Sequence, residues 1–483
     1  MSSVRRSFLL SMADSYLGVV LQLASTIVIA RLLTPAEVGT FAIAAVFAAL
    51  ASTFRDFGVA EYLIQARDLT PAKLRAALAL NIIVSWAIAA LLVVLAPFAA
   101  DFYREPGVGY VMWVQALNFM LVPFGAVTQA WFRRELNYRP IVIGNLLSSI
   151  AAFVVAVSLA YAGFGFMSLA WSSLAGIVVT VVVAMWFRPP EFPKWPALAG
   201  IGEVFQFGKF ASSIYIVGQL GKGAPELLIG RALGTAPVGI YSRAGGLVEM
   251  FNRLVMRPVL QVCMPYFAKS DRESGTLVPA YLHSVGLLTA VGWPLLALLG
   301  VLAYPAIRLI YGDQWLAAVT LAQILCAAAA VELLQTLSRE ALLAKGQARR
   351  ANALQIQLVL LQVTGLTLVF PYGLAGAAWG WMGANLLGLV VAQWHLDRGI
   401  GLGLGALSRA VVPSAVMAVV TAGPLALVAQ IWPIVEGNYL RWGLLGGASG
   451  LMLWLLAART LRHPLWDEIS GLAQRLVQKL RAR

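Results

Sequence analysis

Long apolar stretches alternate with short clusters of charge from one end of the chain to the other. Uncharged runs occupy 15–30, 38–54, 76–100, 106–132, 141–187, 274–307, 314–331, 351–396, 410–435 and 442–458. At 1.5 Å of rise per residue, about 20 apolar residues cross the hydrocarbon core of a bilayer as one helix. The runs at 141–187 and 351–396 are double length. Each is broken by a turn-forming patch, Tyr161-Ala162-Gly163-Phe164-Gly165 in one and Pro371-Tyr372-Gly373 in the other. Each therefore predicts a hairpin of two helices. A further apolar pair between 204 and 268 carries embedded charges and turns near Leu233-Gly234-Thr235. The pattern predicts an all-α polytopic membrane protein of fourteen helices. The segment 7–30 after Arg5 and Arg6 is too long for a secretory signal, has no clear cleavage site and is followed by thirteen spans, so it is read as helix 1.

Composition narrows the class. Of the 483 residues, 60% are hydrophobic and 12% charged, against about 25% charged in soluble domains. A soluble enzyme, a disordered chain and a disulfide scaffold are excluded. Cys263 and Cys326 are scattered singly, as are His283, His395 and His463. No zinc site or disulfide framework follows from such spacing. The cysteines are expected to be packing residues and the histidines to lie at the surface or interface.

The chain holds 35 Lys and Arg against 21 Asp and Glu, a net charge of +14. With the N-terminus inside, 26 of the cations fall in cytoplasmic segments. Five fall outside: Arg31, Arg104, Arg231, Arg308 and Arg441. That asymmetry is the positive-inside signature and predicts both termini in the cytoplasm. The positive excess thus orients the chain, and no nucleic-acid partner is expected.

An internal repeat divides the helices. Arg31-Leu32-Leu33-Thr34-Pro35-Ala36-Glu37-Val38-Gly39-Thr40-Phe41 recurs as Arg231-Ala232-Leu233-Gly234-Thr235-Ala236-Pro237-Val238-Gly239-Ile240-Tyr241, at an offset of 200. The long hairpins starting at 141 and 351 repeat with nearly the same spacing. Helices 1–6 (1–187) and 7–12 (204–397) are therefore read as duplicated lobes. Helices 13–14 (408–460) are an addition. Six spans return the chain to its starting side, so the repeat is parallel, about an axis along the membrane normal. Between the lobes, 188–203 contains Arg188-Pro189-Pro190-Glu191-Phe192-Pro193-Lys194-Trp195-Pro196, which reads as a non-helical cytoplasmic linker. Leu465, Ile469, Leu472, Leu476 and Leu480 lie at helical spacing among basic residues. They predict an amphipathic helix over 464–483 on the inner leaflet, with Trp466 as anchor.

Two six-helix lobes with this repeat resemble the MOP exporter superfamily. The repeat motif and Asp56-Phe57-Gly58-Val59-Ala60-Glu61-Tyr62-Leu63-Ile64-Gln65 look like the start of Wzx-type polysaccharide flippases. So do Phe132-Arg133-Arg134-Glu135-Leu136, Leu228-Ile229-Gly230-Arg231-Ala232-Leu233-Gly234 and Gly239-Ile240-Tyr241-Ser242-Arg243-Ala244. The likeness is nearest to the colanic-acid and xanthan branch. One departure is Glu226, ahead of Ile229-Gly230, where the resemblance leads one to expect Asp; both are acidic. The resemblance implies a transporter of the bacterial cytoplasmic membrane. Its cargo would be an undecaprenyl-diphosphate-linked oligosaccharide, moved from inner to outer leaflet by alternating access, with polymerase and other assembly proteins as possible partners. No cofactor and no metal are implied.

Such a cargo needs a wet cavity with cations for its phosphates. The hairpin of helices 7 and 8 carries Lys222, Glu226, Arg243, Glu249, Arg253 and Arg257, whereas its N-lobe counterpart is clean. A charge at mid-bilayer costs roughly 2.5–3.5 kcal/mol on insertion scales, so such groups face a cavity or a partner. Lys222, Arg243 and Arg253 are candidate cargo-binding cations. So is Arg55 by the resemblance, because a helix-2 Arg can face the cavity in this superfamily. The structural alternatives stay open: Glu226 and Arg243 are equidistant from the turn and could neutralise each other. Lys222 with Glu226, and Glu249 with Arg253, have the i,i+4 spacing of salt bridges. Arg257 could snorkel and Arg55 could be an inner-loop topology charge. Candidate ion-coupling acids are Asp14, Asp56, Glu226 and Glu249. Glu332, Glu340 and Arg339 are expected at the inner end of helix 10.

The Trp residues near predicted helix ends, including Trp131, Trp186, Trp315, Trp394 and Trp432, fit interfacial belts. Trp171, Trp379 and Trp381 are deeper and are expected in the core. Two other functions suit these residues less well. A MATE-type cation-coupled drug antiporter would want a net acidic lining. A membrane glycosyltransferase or polymerase would want a sizeable outer loop bearing catalytic groups. No P-loop spacing is present either.

Overall fold

The computed structural model describes residues 18, 20–55, 59–65, 70–190, 192–193, 195–202, 213–468, 470–471 and 474. Asp14, Asp56 and most of the expected helix at 464–483 lie outside them, as does the side chain of Arg257. The described residues form helices joined by short turns, with no strand among them.

Ten helices are long and apolar enough to cross a membrane, or eleven if one bent pair counts as a single span. The chain is therefore an all-α multi-pass membrane protein. In the first half the spans are α2 (Pro35–Arg55), α4 (Pro71–Tyr103), α7 (Arg139–Tyr161) and α8 (Met167–Trp186). The bent pair is α5 (Pro106–Leu121) and α6 (Pro123–Arg134), which meet at 51°. Pro123 causes the bend, because it lacks an N–H and its ring crowds the preceding turn. Before α2 lies the short apolar helix α1 (Val20–Leu32), and after it α3 (Val59–Gln65).

Neither α9 (Ser213–Leu233) nor α10 (Thr235–Phe251) is among the apolar spans. They are the pair whose sequence carries embedded charges. Next come α11 (Arg257–Ser274), α12 (Val278–Val301) and the short α13 (Ala303–Ile310). The last spans are α14 (Ala318–Thr336, running on to Ala344), α15 (Ala348–Leu368), α16 (Gly373–Ile400), α17 (Leu404–Ile431) and α18 (Tyr439–Thr460). Two π-helical turns interrupt the winding, Asn252–Met256 between α10 and α11, and Trp442–Gly446 within α18.

The expected turns fall where the turn-forming residues are. α7 ends at Tyr161 and α8 begins at Met167, with Gly163 and Gly165 at φ +82° and +54° between them. Gly234, φ +90°, separates α9 from α10. In both regions a side chain would strain the left-handed backbone.

By packing, the chain divides into two compact units, Met1–Gly239 and Ile240–Arg483. In the first, α9 runs along α2. A Cβ at Gly223 would strike Val46, and one at Gly230 would come within 3.2 Å of the Tyr103 ring. The start of α2 is a capping box. The Thr34 N–H and hydroxyl both donate to Glu37 Oε2, at 2.7 and 2.8 Å, and Pro35 occupies the first helical position. The joint beyond α8 folds back on this unit. Arg188 stacks over Phe192 at 4.4 Å and donates to Pro193 O, and Ala197 N–H donates to Arg75 O at 3.3 Å. Burial lowers the pKa of Arg188.

In the second unit the added hairpin α17–α18 is fastened to α12. Thr289 Oγ1 donates to Ser414 Oγ at 3.0 Å and Ser414 Oγ to Gly286 O at 3.1 Å. Trp454 Nε1 donates to Ala290 O at 2.9 Å. The two long hairpins both close on small residues. Ser148 Oγ donates to Gly176 O at 2.9 Å in α7–α8, and Gly365 and Gly380 meet backbone to backbone in α15–α16. Small residues let helices approach where lipid is no worse a solvent than a side chain.

Three side-chain expectations are corrected. Trp315, expected in an interfacial belt, is fully buried. Trp171 and Trp379, expected in the core, are exposed on the helix surface, as suits an apolar ring facing lipid. His395 and His463 are buried, not superficial: His395 Nε2 contacts Gln357 Oε1 at 2.9 Å, and His463 Nδ1 accepts from Leu465 N–H at 3.2 Å.

Candidate functional site

Of the candidate cations, Lys222 is exposed on α9 and makes no ion pair with Glu226 one turn on, so that i,i+4 bridge does not form. Glu226 is half-buried, and its Oε2 is a buried oxygen without a hydrogen-bond donor. A buried acceptor left open costs about 1–3 kcal/mol, more when charged, so fold stability does not account for this carboxylate.

Arg243 is held in another way. Its guanidinium stacks on two rings of its own unit, 5.5 Å from the Tyr311 centroid and 5.3 Å from that of Trp315. Its Nε is buried with no hydrogen-bond acceptor. Two aromatic faces fix the plane of the fork without consuming its donors, leaving a preoriented cation. Gly246, one turn after Ser242, makes room for Tyr311: a Cβ there would lie 2.9 Å from the Tyr311 hydroxyl. Tyr311 lies in the turn after α13. Burial raises its pKa, and the charge of Arg243 opposes that shift.

Arg253 does form the alternative contact, an ion pair with Glu249 at 3.0 Å. Both side chains are more than a third exposed, 38% and 44%. Such a pair contributes about 0.3–0.5 kcal/mol and reads as surface structure. Arg55 is half-buried at the end of α2, 5.7 Å over the Phe119 ring, and it lines a cavity inside the first unit that Lys222 does not line. Glu340 and Arg339 pair at 3.6 Å near the end of the α14 span. The four candidate cations are thus not one cluster in either unit: Lys222 and Arg55 stand apart in the first, and Arg253 is already paired in the second.

Sequence reasoning missed Arg308. Read as an outer-loop charge, its side chain is only 9% exposed and bonds to Asp313 at 2.6 Å and to Glu436. Tyr304 Oη accepts from its Nη1 at 3.2 Å, and its guanidinium lies over the Tyr439 ring. The hydrogen bond to Glu436 is the chief reason its pKa is raised. The signal was present as Asp313 and Glu436, two acids in otherwise sparsely charged outer segments, but their proximity is not readable from order alone. Among the described residues no group of three His, Cys, Asp or Glu side chains is placed to hold a metal ion.

Comparison with known proteins places this architecture. The chain is 28% identical over 371 residues to the teichuronic acid biosynthesis protein TuaB of Bacillus subtilis (strain 168), covering 74% of each chain. It is 24% identical to the lipopolysaccharide biosynthesis protein WzxC of Escherichia coli (strain K12), covering 63% of each. It is 26% identical to the succinoglycan biosynthesis transport protein ExoT of Rhizobium meliloti (strain 1021), covering 60% of this chain and 58% of that one. In fold it resembles the lipid II flippase MurJ in an inward closed conformation, with TM-score 0.75, 12% identity and coverage of 94% and 98%. An inward-facing multidrug MATE transporter of the MOP superfamily follows with TM-score 0.65, 16% identity and coverage of 81% and 96%. A family model described as polysaccharide biosynthesis protein matches residues 28–320. With more than half of its length so matched, the chain belongs to the Wzx-like polysaccharide biosynthesis protein family, a family of transporters and not of enzymes.

Proposed function

We propose that the protein is a flippase moving an undecaprenyl-diphosphate-linked oligosaccharide from the inner to the outer leaflet of the bacterial cytoplasmic membrane. It serves exopolysaccharide, capsule or O-antigen assembly by alternating access. The family match over residues 28–320 carries this reading, and relatives named for teichuronic acid, lipopolysaccharide and succinoglycan biosynthesis support the glycan class. In this reading all fourteen helices span, with α1, α9 and α10 added to the eleven apolar spans, and both termini are cytoplasmic. The helices grouped by the repeat, 1–187 and 204–397, form the moving lobes, joined by the 188–203 linker.

The charge of α9 and α10 belongs to this function. A pair of spans bearing Lys222 and Glu226 on one and Arg243 on the other is disfavoured in lipid unless it serves a polar cargo. Arg243 is the preferred diphosphate ligand, because its plane is fixed and its Nε is unengaged. Lys222 and Arg55 are auxiliary cations. Glu226 is the preferred coupling acid among Asp14, Asp56, Glu226 and Glu249, because its buried oxygen has no donor and Glu249 is bound to Arg253. The polymerase and other assembly proteins are the expected partners.

The test is reconstitution of the purified protein into proteoliposomes with a defined undecaprenyl-diphosphate-linked glycan in one leaflet. Protein-dependent appearance of the glycan in the other leaflet is the expected result. Absence of flipping by a correctly folded protein, with every glycan offered, would falsify the reading.

A further inference from the structure

Where α4 ends and α5 begins, the first unit carries an open groove of about 500 Å³. Its place in the chain fixes its depth. Asp101, Arg104 and Glu105 are the first charges after the uncharged run 76–100 and the last before 106–132. The groove therefore lies where an apolar span meets water. Asp101 and Arg104 line it, together with Tyr110, Trp113, Pro97 and Pro106. Val94 and Phe98, both exposed, lie two turns and one turn before Asp101 on the same face of α4. An apolar track thus leads from the groove into the span.

The two charges of the groove do not neutralise each other. On an unbroken helix their i,i+3 spacing would make them neighbours. Arg104 instead stands at φ +54° and ψ +36°, closing α4 with its N–H donated to Asp101 O at 3.2 Å. Glycine is the usual residue for that left-handed cap, so an arginine holds a costly backbone whose capping role needs no side chain. Glu105 is spent as the cap of α5, its carboxylate accepting from Gly107 N–H at 3.2 Å. Among the described residues neither Asp101 nor Arg104 has a side-chain ion pair or hydrogen bond. The Tyr110 hydroxyl and the Trp113 indole N–H are equally unengaged there, and their rings stand 5.7 Å apart between centroids. Gly109 lets α4 and α5 close behind the groove, since a Cβ there would come within 3.2 Å of Ala96 O.

We infer that this groove binds the headgroup of an amino-phospholipid, with Arg104 on the phosphate and Asp101 on the primary ammonium. One cation and one anion that share a groove without pairing match a ligand carrying the opposite charges on one short linker. Phosphatidylethanolamine is that ligand. The Arg104 guanidinium offers a planar fork to phosphate oxygens. Asp101 accepts from an ammonium N–H, which a choline headgroup does not have. Phosphatidylglycerol brings the phosphate alone and sets it near Asp101 without a counter-charge. Tyr110 and Trp113 add donors at headgroup depth, as interfacial aromatics do, and Val94 and Phe98 lie along the acyl chain. The volume falls within that of ligand pockets, roughly 300–1,000 Å³. This site goes beyond the flippase reading and does not depend on it, being defined by binding and not by transport.

The test is native mass spectrometry of the full chain in detergent, titrated separately with phosphatidylethanolamine, phosphatidylglycerol and phosphatidylcholine of identical acyl chains. Wild type is compared with Asp101→Asn, with Arg104→Gly and with Lys269→Gln, a surface control in the second unit. Glycine suits the left-handed backbone at 104, so Arg104→Gly removes the cation without straining the fold. Wild type is expected to bind phosphatidylethanolamine about fivefold more tightly than either other lipid. Asp101→Asn is expected to erase the preference over phosphatidylglycerol. Arg104→Gly is expected to weaken phosphatidylethanolamine binding about tenfold, with an undiminished melting temperature. Lys269→Gln is expected to leave all three affinities unchanged. Equal wild-type affinity for phosphatidylethanolamine and phosphatidylcholine overturns the inference. So does wild-type phosphatidylethanolamine binding in either groove variant, or a loss in Lys269→Gln as large as theirs.

Discussion

Gly39 and Gly239 hold equivalent places in two copies of one motif, and each abuts the backbone of the other copy. The Thr235 carbonyl stands where a Gly39 Cβ would be, and the Pro35 carbonyl stands where a Gly239 Cβ would be. Pro35 and Thr235 are themselves repeat equivalents, so the contact is its own image under the 200-residue offset. A Cβ at Gly39 would also come within 3.0 Å of Gly239 N. The repeat seen in the sequence is thus a packing device as well as a record of duplication.

Gly39→Ala and Gly239→Ala are each expected to destabilise the protein by about 1–3 kcal/mol, because the obstructing atoms are backbone and cannot rotate away. Thermal unfolding in detergent checks this. Gly245→Ala, with open space around its Cβ, is expected to be neutral or mildly stabilising in its helix. Equal melting temperatures for all three variants would show that the close approach does not matter.

Arg243 separates charge from shape. Arg243→Lys keeps the charge and loses the flat stack on Tyr311 and Trp315, worth about 0.5–2 kcal/mol. In a flipping assay both Arg243→Lys and Arg243→Ala are expected to fall about tenfold or more, with insertion and expression near normal. Full activity of Arg243→Ala would remove this residue from the transport path.

Glu226→Gln preserves shape and discards a buried charge with an orphaned oxygen. Its melting temperature is expected to equal or exceed that of the wild type, while flipping falls. A fall in both would mean that the carboxylate is structural. The two assays on one preparation decide.

Arg308 joins the loop after α13 to the segment before α18 through Asp313, Glu436 and Tyr439. Arg308→Gln leaves two acids facing each other without their cation. We expect a lower melting temperature by a few degrees, at about 2–4 °C per kcal/mol for units of this size. Protease cleavage within 432–439 should rise in parallel. An unchanged melting curve would demote the network to a surface contact.

His463 supplies a pH signature. Burial chiefly, and His283 secondarily, lower its folded pKa below the ordinary value. A depressed folded pKa gives stability that is present above the unfolded value, near 6.5, and is lost as pH falls through the folded one. The Leu465 N–H bond to Nδ1 needs the same unprotonated ring. Between pH 7 and 5, wild type should therefore lose more melting temperature than His463→Asn, whose amide oxygen can still accept that bond. Parallel slopes would exclude His463 as the source.

How much of this was legible in the sequence depends on the kind of information involved. Span positions were readable because lipid imposes a uniform demand: every exposed face must be apolar, so charge marks the ends. The breaks at Gly163, Gly234 and Gly373 were readable because left-handed backbone selects glycine. Depth within the bundle was not readable. An apolar face touching lipid and one touching protein have the same composition, so Trp379 and Trp315 exchanged their expected places. Partners of charges were readable only at i,i+4, and even there spacing permits a bond without requiring it: Glu249–Arg253 forms and Lys222–Glu226 does not. The cavity lined by Arg55 and Arg133 was hidden because a lone Asn81 and Gln129 in uncharged runs attract no notice until five segments bring them together.

The π-helical turns have a consequence for how this chain tolerates change. Over Asn252–Met256 the backbone takes one extra residue into a turn, so everything on α11 is rotated by about 100° from where an unbroken α-helix would carry it. That phase seats Phe267 in the interior and brings Asp271 to Lys345 at 2.6 Å. Leu254, exposed in this turn, could be exchanged for another residue at little cost, yet its removal would swing the whole of α11 off its contacts. Here the number of residues carries information that their identities do not, and a second such counted turn lies at Trp442–Gly446.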